Sequence, residues 1–96
     1  MVRIVYDPSK DAANFRKHGL SLARAAEIVW DEAVIWEDVR HSYGERRMVG
    51  FVPLAMRLCV VVFTDLDEAR RVISLRKAND REIATYIREV ENGALD

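Results

Sequence analysis

The sequence is poor in the parts that metal-dependent or covalent catalysis needs. Its single cysteine, Cys59, can form no internal disulfide, which fits a reducing compartment. Cys59 lies in the apolar run Leu58-Cys59-Val60-Val61-Val62-Phe63 and reads as a small buried hydrophobe. No HxxxH or CxxC spacing offers a metal site. The four glycines form no phosphate loop, and no GxSxG elbow presents a serine. No metal and no cofactor is therefore expected. The opening MVRIVYDP has no signal-peptide pattern, and no apolar run reaches membrane-spanning length. The expectation is a cytoplasmic protein that does not bind membranes.

Excess charge is also lacking: the 96 residues sum to −1. The distribution says more than the sum. Residues 1–39 carry five basic and seven acidic side chains, residues 40–81 nine and five, and residues 82–96 one and four. A basic middle between acidic ends can bind phosphate on a neutral protein. The basic residues concentrate in Ala69 to Tyr86, where Arg70, Arg71, Arg76, Lys77 and Arg81 fall within twelve residues against one acid, Asp80.

The length predicts one domain with a modest core. Val2–Tyr6 reads as a strand. Asp7 and Pro8 suit an N-cap and a first helical position, and Gly19 suits the end of that helix. Ser21 caps a second predicted helix, with Leu22, Ala25, Ala26 and Val29 at helical spacing, ending near Asp31. Ala33–Trp36, Arg46–Val52, Arg57–Thr64 and Ala69–Leu75 read as strands; Pro53 marks a strand end or edge. Arg57–Thr64 is nearly all apolar and is predicted to be central. In the last strand, simple alternation puts Arg71, Ile73 and Leu75 on one face and Arg70, Val72, Ser74 and Arg76 on the other. Asn79 and Glu82 form a capping pair, and Ile83, Tyr86, Ile87 and Val90 predict a helix with one buried face, ended by Gly93. Trp30 and Trp36 read as core or interface residues. The predicted order is β-α-α-β-β-β-β-α. The expected class is α+β: a small twisted antiparallel sheet with helices packed on one face.

What remains possible is acid–base chemistry at a cationic site. RNA supplies its own nucleophile, the 2′-hydroxyl. Cleavage then needs a base, positive charge for the developing phosphorane, and an acid for the leaving 5′-oxygen. Glu45 or His18 can serve as base or acid, and Arg47, Arg71, Arg76 and Lys77 can supply charge. Glu82 also reads as an ion-pair partner, and His41 as a loop histidine. A small-molecule enzyme would instead require a deep apolar pocket near Arg76.

Three blocks of sequence resemble the BrnT toxins of bacterial type II toxin–antitoxin pairs. The first is Tyr6-Asp7-Pro8-x-Lys10 with Asn14-x-x-Lys17-His18-Gly19-Leu20-Ser21. The second is Tyr43-Gly44-Glu45-x-Arg47 followed by Gly50. The third is Arg71-Val72-Ile73-Ser74-Leu75-Arg76-Lys77-Ala78 with Arg81-Glu82 and Tyr86. The resemblance implies a RelE-like fold and a metal-independent ribonuclease that halts translation. It implies a BrnA-like antitoxin with a DNA-binding domain, through which the pair represses its own operon. The candidate catalytic residues are then Lys17, His18, Glu45, Arg47, Arg71 and Arg76. The candidate RNA contacts are Arg46, Arg70, Ser74, Lys77, Arg81 and Tyr86. An antitoxin with acidic side chains would cover the basic cleft. The competing reading is a non-catalytic RelE-like module that binds the antitoxin as a co-repressor.

Overall fold

A computed structural model describes residues 2–40 and 44–93. The chain forms β1 (Arg3–Val5), α1 (Pro8–His18), two short 3-10 helices (Leu22–Glu27 and Trp30–Glu32), β2 (Val34–Glu37), β3 (Met48–Leu54), β4 (Arg57–Asp65), β5 (Ala69–Lys77) and α2 (Asp80–Glu91). The local signals at the helix ends hold. Asp7 accepts from the Ser9 N–H at 2.7 Å, and Gly19 closes α1 at φ 75°. Asn79 and Glu82 form a reciprocal capping box.

The class is α+β, but the sheet is mixed. Its order is β1-β5-β4-β3-β2, with β4 central as expected. Neighbours in sequence pair antiparallel, whereas β1 pairs parallel with the start of β5, Arg3–Val5 against Ala69–Arg71. The crossover carrying α1 and the 3-10 helices leads from β1 at one edge to β2 at the other, and the antiparallel steps from β2 to β5 bring β5 back parallel to β1.

The second predicted α-helix is corrected to the two 3-10 helices. Leu22, Ala25 and Ile28 are its buried residues, while Ala26 and Val29 are exposed. A spacing of three matches three residues per turn. These residues join the main core with Val52, Val61, Phe63, Val72 and Leu75 on one sheet face. A smaller cluster of Val49, Phe51 and Val60 occupies the opposite face, with Tyr86 against it. Helical elements therefore lie on both sides of the sheet, not on one.

The apolar stripe of α2 is also corrected. Ile83, Ile87 and Val90 are exposed, and the helix buries no residue fully. Glu82, Thr85, Tyr86 and Glu89 are its less exposed positions. The Tyr86 hydroxyl donates to the Glu32 carbonyl at 2.7 Å.

Gly50 sits between β2 and β4, opposite Ile35 and Val61. A Cβ there would meet the Cγ1 atoms of both at 3.3 Å and that of Val52 at 3.4 Å. Gly50→Ala is expected to lower stability by about 1–2 kcal/mol through overpacking, read as a lower urea midpoint with an unchanged denaturant slope. A wild-type midpoint would mean that the sheet yields freely at this point. Among the described residues, no helix is long and apolar enough to cross a membrane.

Candidate functional site

β5 carries the site, and a bulge decides which of its side chains meet. Val62 lies opposite Ser74 and Phe63 opposite Val72, so Ile73 is left as the extra residue. The extra residue resets the alternation. Val72 and Leu75 both enter the main core. Arg71, Ser74 and Arg76 then share the opposite face, in register with Thr64, Val62 and Val60. The strict alternation expected from the sequence, which separated Arg71 from Ser74 and Arg76, is thus corrected.

α1 runs beside β5 where β1 has ended. Asn14, buried, donates to the Leu75 carbonyl at 2.8 Å and accepts from the Leu75 N–H at 3.1 Å. It also donates to the Leu20 carbonyl at 2.8 Å. Lys10, Asn14 and Lys17 are four and three residues apart, on one helix face. Docking at Asn14 sets Lys10 near the Arg71 end of β5 and the Lys17-His18 end near Arg76.

The candidate catalytic residues accordingly fall into two groups. In the first, His18 is half-buried at the end of α1. Burial, then the charges of Lys17 and Arg76, push its imidazole below the ordinary 6.5. Arg76 forms a two-pronged ion pair with Glu82, Nη1 to Oε1 at 2.9 Å and Nη2 to Oε2 at 2.8 Å. That pair raises the Arg76 pKa and lowers that of Glu82. Glu82 Oε1 also accepts the Asn79 N–H, so one carboxylate caps α2 and orients Arg76.

In the second group, Arg71 Nη2 donates to Glu45 Oε2, and Arg47 Nε approaches Glu45 Oε1 at 3.7 Å. The bond from Arg71 holds the Glu45 carboxyl below its usual range. Asp7, Lys10, Val72 and Ile73 complete a hollow of about 250 Å³ around these three residues. The two groups lie five residues apart along β5, about 15 Å at strand rise.

The candidate RNA contacts are dispersed. Ser74 shares the face of Arg76. Arg70 is turned to the main core, its guanidinium 4.5 Å from the Trp30 ring centre and bonded to Asp65 at 2.8 Å. Lys77 pairs with Cys59 in register and lines a hollow with Arg24 and Arg57 on the core side. Arg46 bonds Glu37 at 2.9 Å, and Arg81 is exposed in the first turn of α2. Tyr86 pins α2 through its hydroxyl, and burial raises its pKa. His41 and Tyr43 lie outside the described residues. Cys59 is buried, and burial raises its thiol pKa, as suits a packing residue.

The sequence reading missed a second hollow, of about 460 Å³, beside Arg76 and Glu82. Val49, Phe51, Val60 and Val62 form its apolar side, with Trp36 and the Asp38–Arg40 ion pair also lining it. Its signal was present in the alternation of β3 and β4, which sends those four residues to the face away from the main core. Among the described residues, no three His, Cys, Asp or Glu side chains group as metal ligands.

A comparison with curated proteins gave no match. The family model of BrnT, the ribonuclease toxin of type II toxin–antitoxin systems, matches residues 6–82. That span takes in α1, strands β2 to β5 and both groups of charged residues, with β1 just before it. The chain therefore belongs to the BrnT family of ribonuclease toxins of type II toxin–antitoxin systems.

Proposed function

We propose that the chain is a metal-independent endoribonuclease that cuts RNA on the open face of β5, with His18 as general base. The observation that carries this reading is the place of His18, half-buried at the end of α1 beside Lys17 and Arg76, where burial and those charges lower its pKa and so favour the neutral imidazole. A neutral imidazole keeps a lone pair for the 2′-hydroxyl proton. Glu45 is the poorer base, because Arg71 occupies its carboxylate and keeps it ionised. The 2′-oxygen attacks phosphorus as its proton passes to His18. The bond from phosphorus to the 5′-oxygen breaks, and that oxygen takes a proton from Lys17. Arg76 offsets the charge that builds on the phosphorane. The products are a 2′,3′-cyclic phosphate and a 5′-hydroxyl. Lys10, Arg47 and Arg71 hold a neighbouring phosphate along β5.

This reading makes the chain a RelE-like toxin that acts on cytoplasmic RNA and stops translation. A BrnA-like antitoxin with a DNA-binding domain neutralises it and links the pair to its operon. Cleavage by the purified protein is expected to survive EDTA and to leave cyclic-phosphate ends. Its rate is expected to rise with pH as His18 loses its proton, with the midpoint of that limb below 6.5. Lys17→Ala removes one of the charges that depress the His18 pKa, so this acid limb moves to higher pH while the maximal rate falls. Loss of cleavage on chelation overturns the metal-independent route, and an unmoved limb in Lys17→Ala removes His18 as the base. A folded protein that binds its antitoxin but cuts neither free nor ribosome-bound RNA supports a non-catalytic co-repressor. The carboxylate partners of Arg47, Arg71 and Arg76 favour that second reading.

A further inference from the structure

The hollow beside Arg76 is open because α2 leaves it so. Val49, Phe51 and Val60 are each less than a tenth exposed, yet they form a cluster separate from the main core. An amphipathic helix would be expected to cover such a cluster with its apolar stripe. α2 presents Glu82 at the rim instead and turns Ile83 and Ile87 outward. The result is a recess of about 460 Å³ with one apolar side, lined also by the guanidiniums of Arg40 and Arg76 and by three carboxylates.

One wall of the recess is a fixed aromatic ring. Trp36 stands edge-on to Phe51, ring centres 4.7 Å apart and planes at 77°. It is nonetheless 41% exposed. A large aromatic side chain held in place with part of its surface bare offers a stacking platform that is already ordered. Arg76 lies on the same rim, and its pair with Glu82 uses only some of its five N–H donors. An apolar side, an aromatic face and a guanidinium with donors to spare fit a flat base joined to a phosphate. A bulky aliphatic ligand would fill the recess but would make no use of the donors that Arg76 has left beside its pair with Glu82.

We propose that this recess takes an unstacked nucleobase of the RNA strand, next to the phosphate held at Arg76, with Trp36 as its stacking wall. The inference rests on the RNA-cleaving reading for its substrate, but binding is separable from cleavage. The base enters against Trp36 and Phe51, and its nucleotide's phosphate meets Arg76. Trp36 then fixes which phosphate in the strand sits beside His18.

The test uses the full chain and a short single-stranded RNA with 2′-O-methyl groups, which lacks the nucleophile and so binds uncut. The same strand with abasic positions is the control. Tryptophan fluorescence is expected to quench in a saturable way with the base-bearing strand and much less with the abasic one. Trp30→Phe is expected to keep that response, and Trp36→Phe to lose it. In cleavage of unmodified RNA, Trp36→Leu is expected to raise KM about tenfold, as for loss of one base stack, with a smaller change in kcat and a flatter choice of cleavage site. Equal quenching by both strands, or a response that stays in Trp36→Phe, overturns the inference. Base-dependent quenching in a protein that cuts no RNA keeps the recess and removes the nuclease reading. Cleavage without base-dependent quenching does the reverse.

Discussion

Arg76→Ala is expected to lower RNA cleavage about 10²–10³-fold, the usual cost of removing one well-placed charge from a transition state, and to leave the chain folded. The fold survives because the residue works at a boundary. The Arg76 side chain is 38% exposed and that of Glu82 18%, so solvent screens the pair and its loss costs about 1 kcal/mol or less. Glu82 does not become an orphan, since it keeps the Asn79 N–H as its capping donor. The rate loss has a second component. Arg76 is among the charges that depress the His18 pKa, so its removal also moves the acid limb of the pH profile upward. Arg76→Lys restores charge but not the planar fork that Glu82 holds, and is expected to recover only part of the rate. Glu82→Gln keeps the helix cap, because glutamine fills the same role in a capping box, and releases Arg76 from its fixed direction. Rates measured beside thermal unfolding separate these effects. Wild-type cleavage in Arg76→Ala removes Arg76 from the reacting centre. A rate loss matched by unfolding reduces its role to packing.

What could be read from the sequence was local. Asp7-Pro8, Gly19, Ser21 and the Asn79–Glu82 box all act within a few residues, and each appears as expected. The central place of β4 was legible because a strand covered on both faces needs apolar residues throughout. The bulge at Ile73 was not. Nothing in Arg70-Arg71-Val72-Ile73-Ser74-Leu75-Arg76 marks one residue as extra, since Val72 and Ile73 suit either face. That one residue moves Arg71 to the face of Arg76. The long-range partners were hidden for a similar reason: Glu45 and Arg71 are 26 residues apart, and no local period records their meeting. The α2 stripe misled because amphipathicity says that a face can be buried, not that this chain supplies the cover.

Asn14→Ala is expected to be the most destabilising polar substitution in the chain, at about 3 kcal/mol. β1 pairs with β5 only as far as Arg71, so beyond it, among the described residues, the outer edge of β5 has no strand beside it. At Leu75 the Asn14 carboxamide stands in for one, accepting the N–H and donating to the carbonyl, and it donates as well to the Leu20 carbonyl. The alanine variant leaves these buried groups unmade, and their costs add only in part. For a chain of this size the expected fall in melting temperature is about 15 °C. Asn14→Asp keeps one acceptor, loses both donors and buries a charge, so it gives no rescue. The functional consequence follows from geometry. His18 lies one helical turn beyond Asn14, and the bonds to Leu75 hold that turn of α1 against the strand carrying Arg76. Below its own melting temperature, Asn14→Ala is therefore expected to cleave RNA slowly although its sheet is intact. The acid limb should also return toward 6.5, as His18 drifts from Arg76 and from the burial that depresses its pKa. A variant that melts early but cleaves at the wild-type rate with an unmoved limb would mean that α1 is held to β5 by something other than this amide.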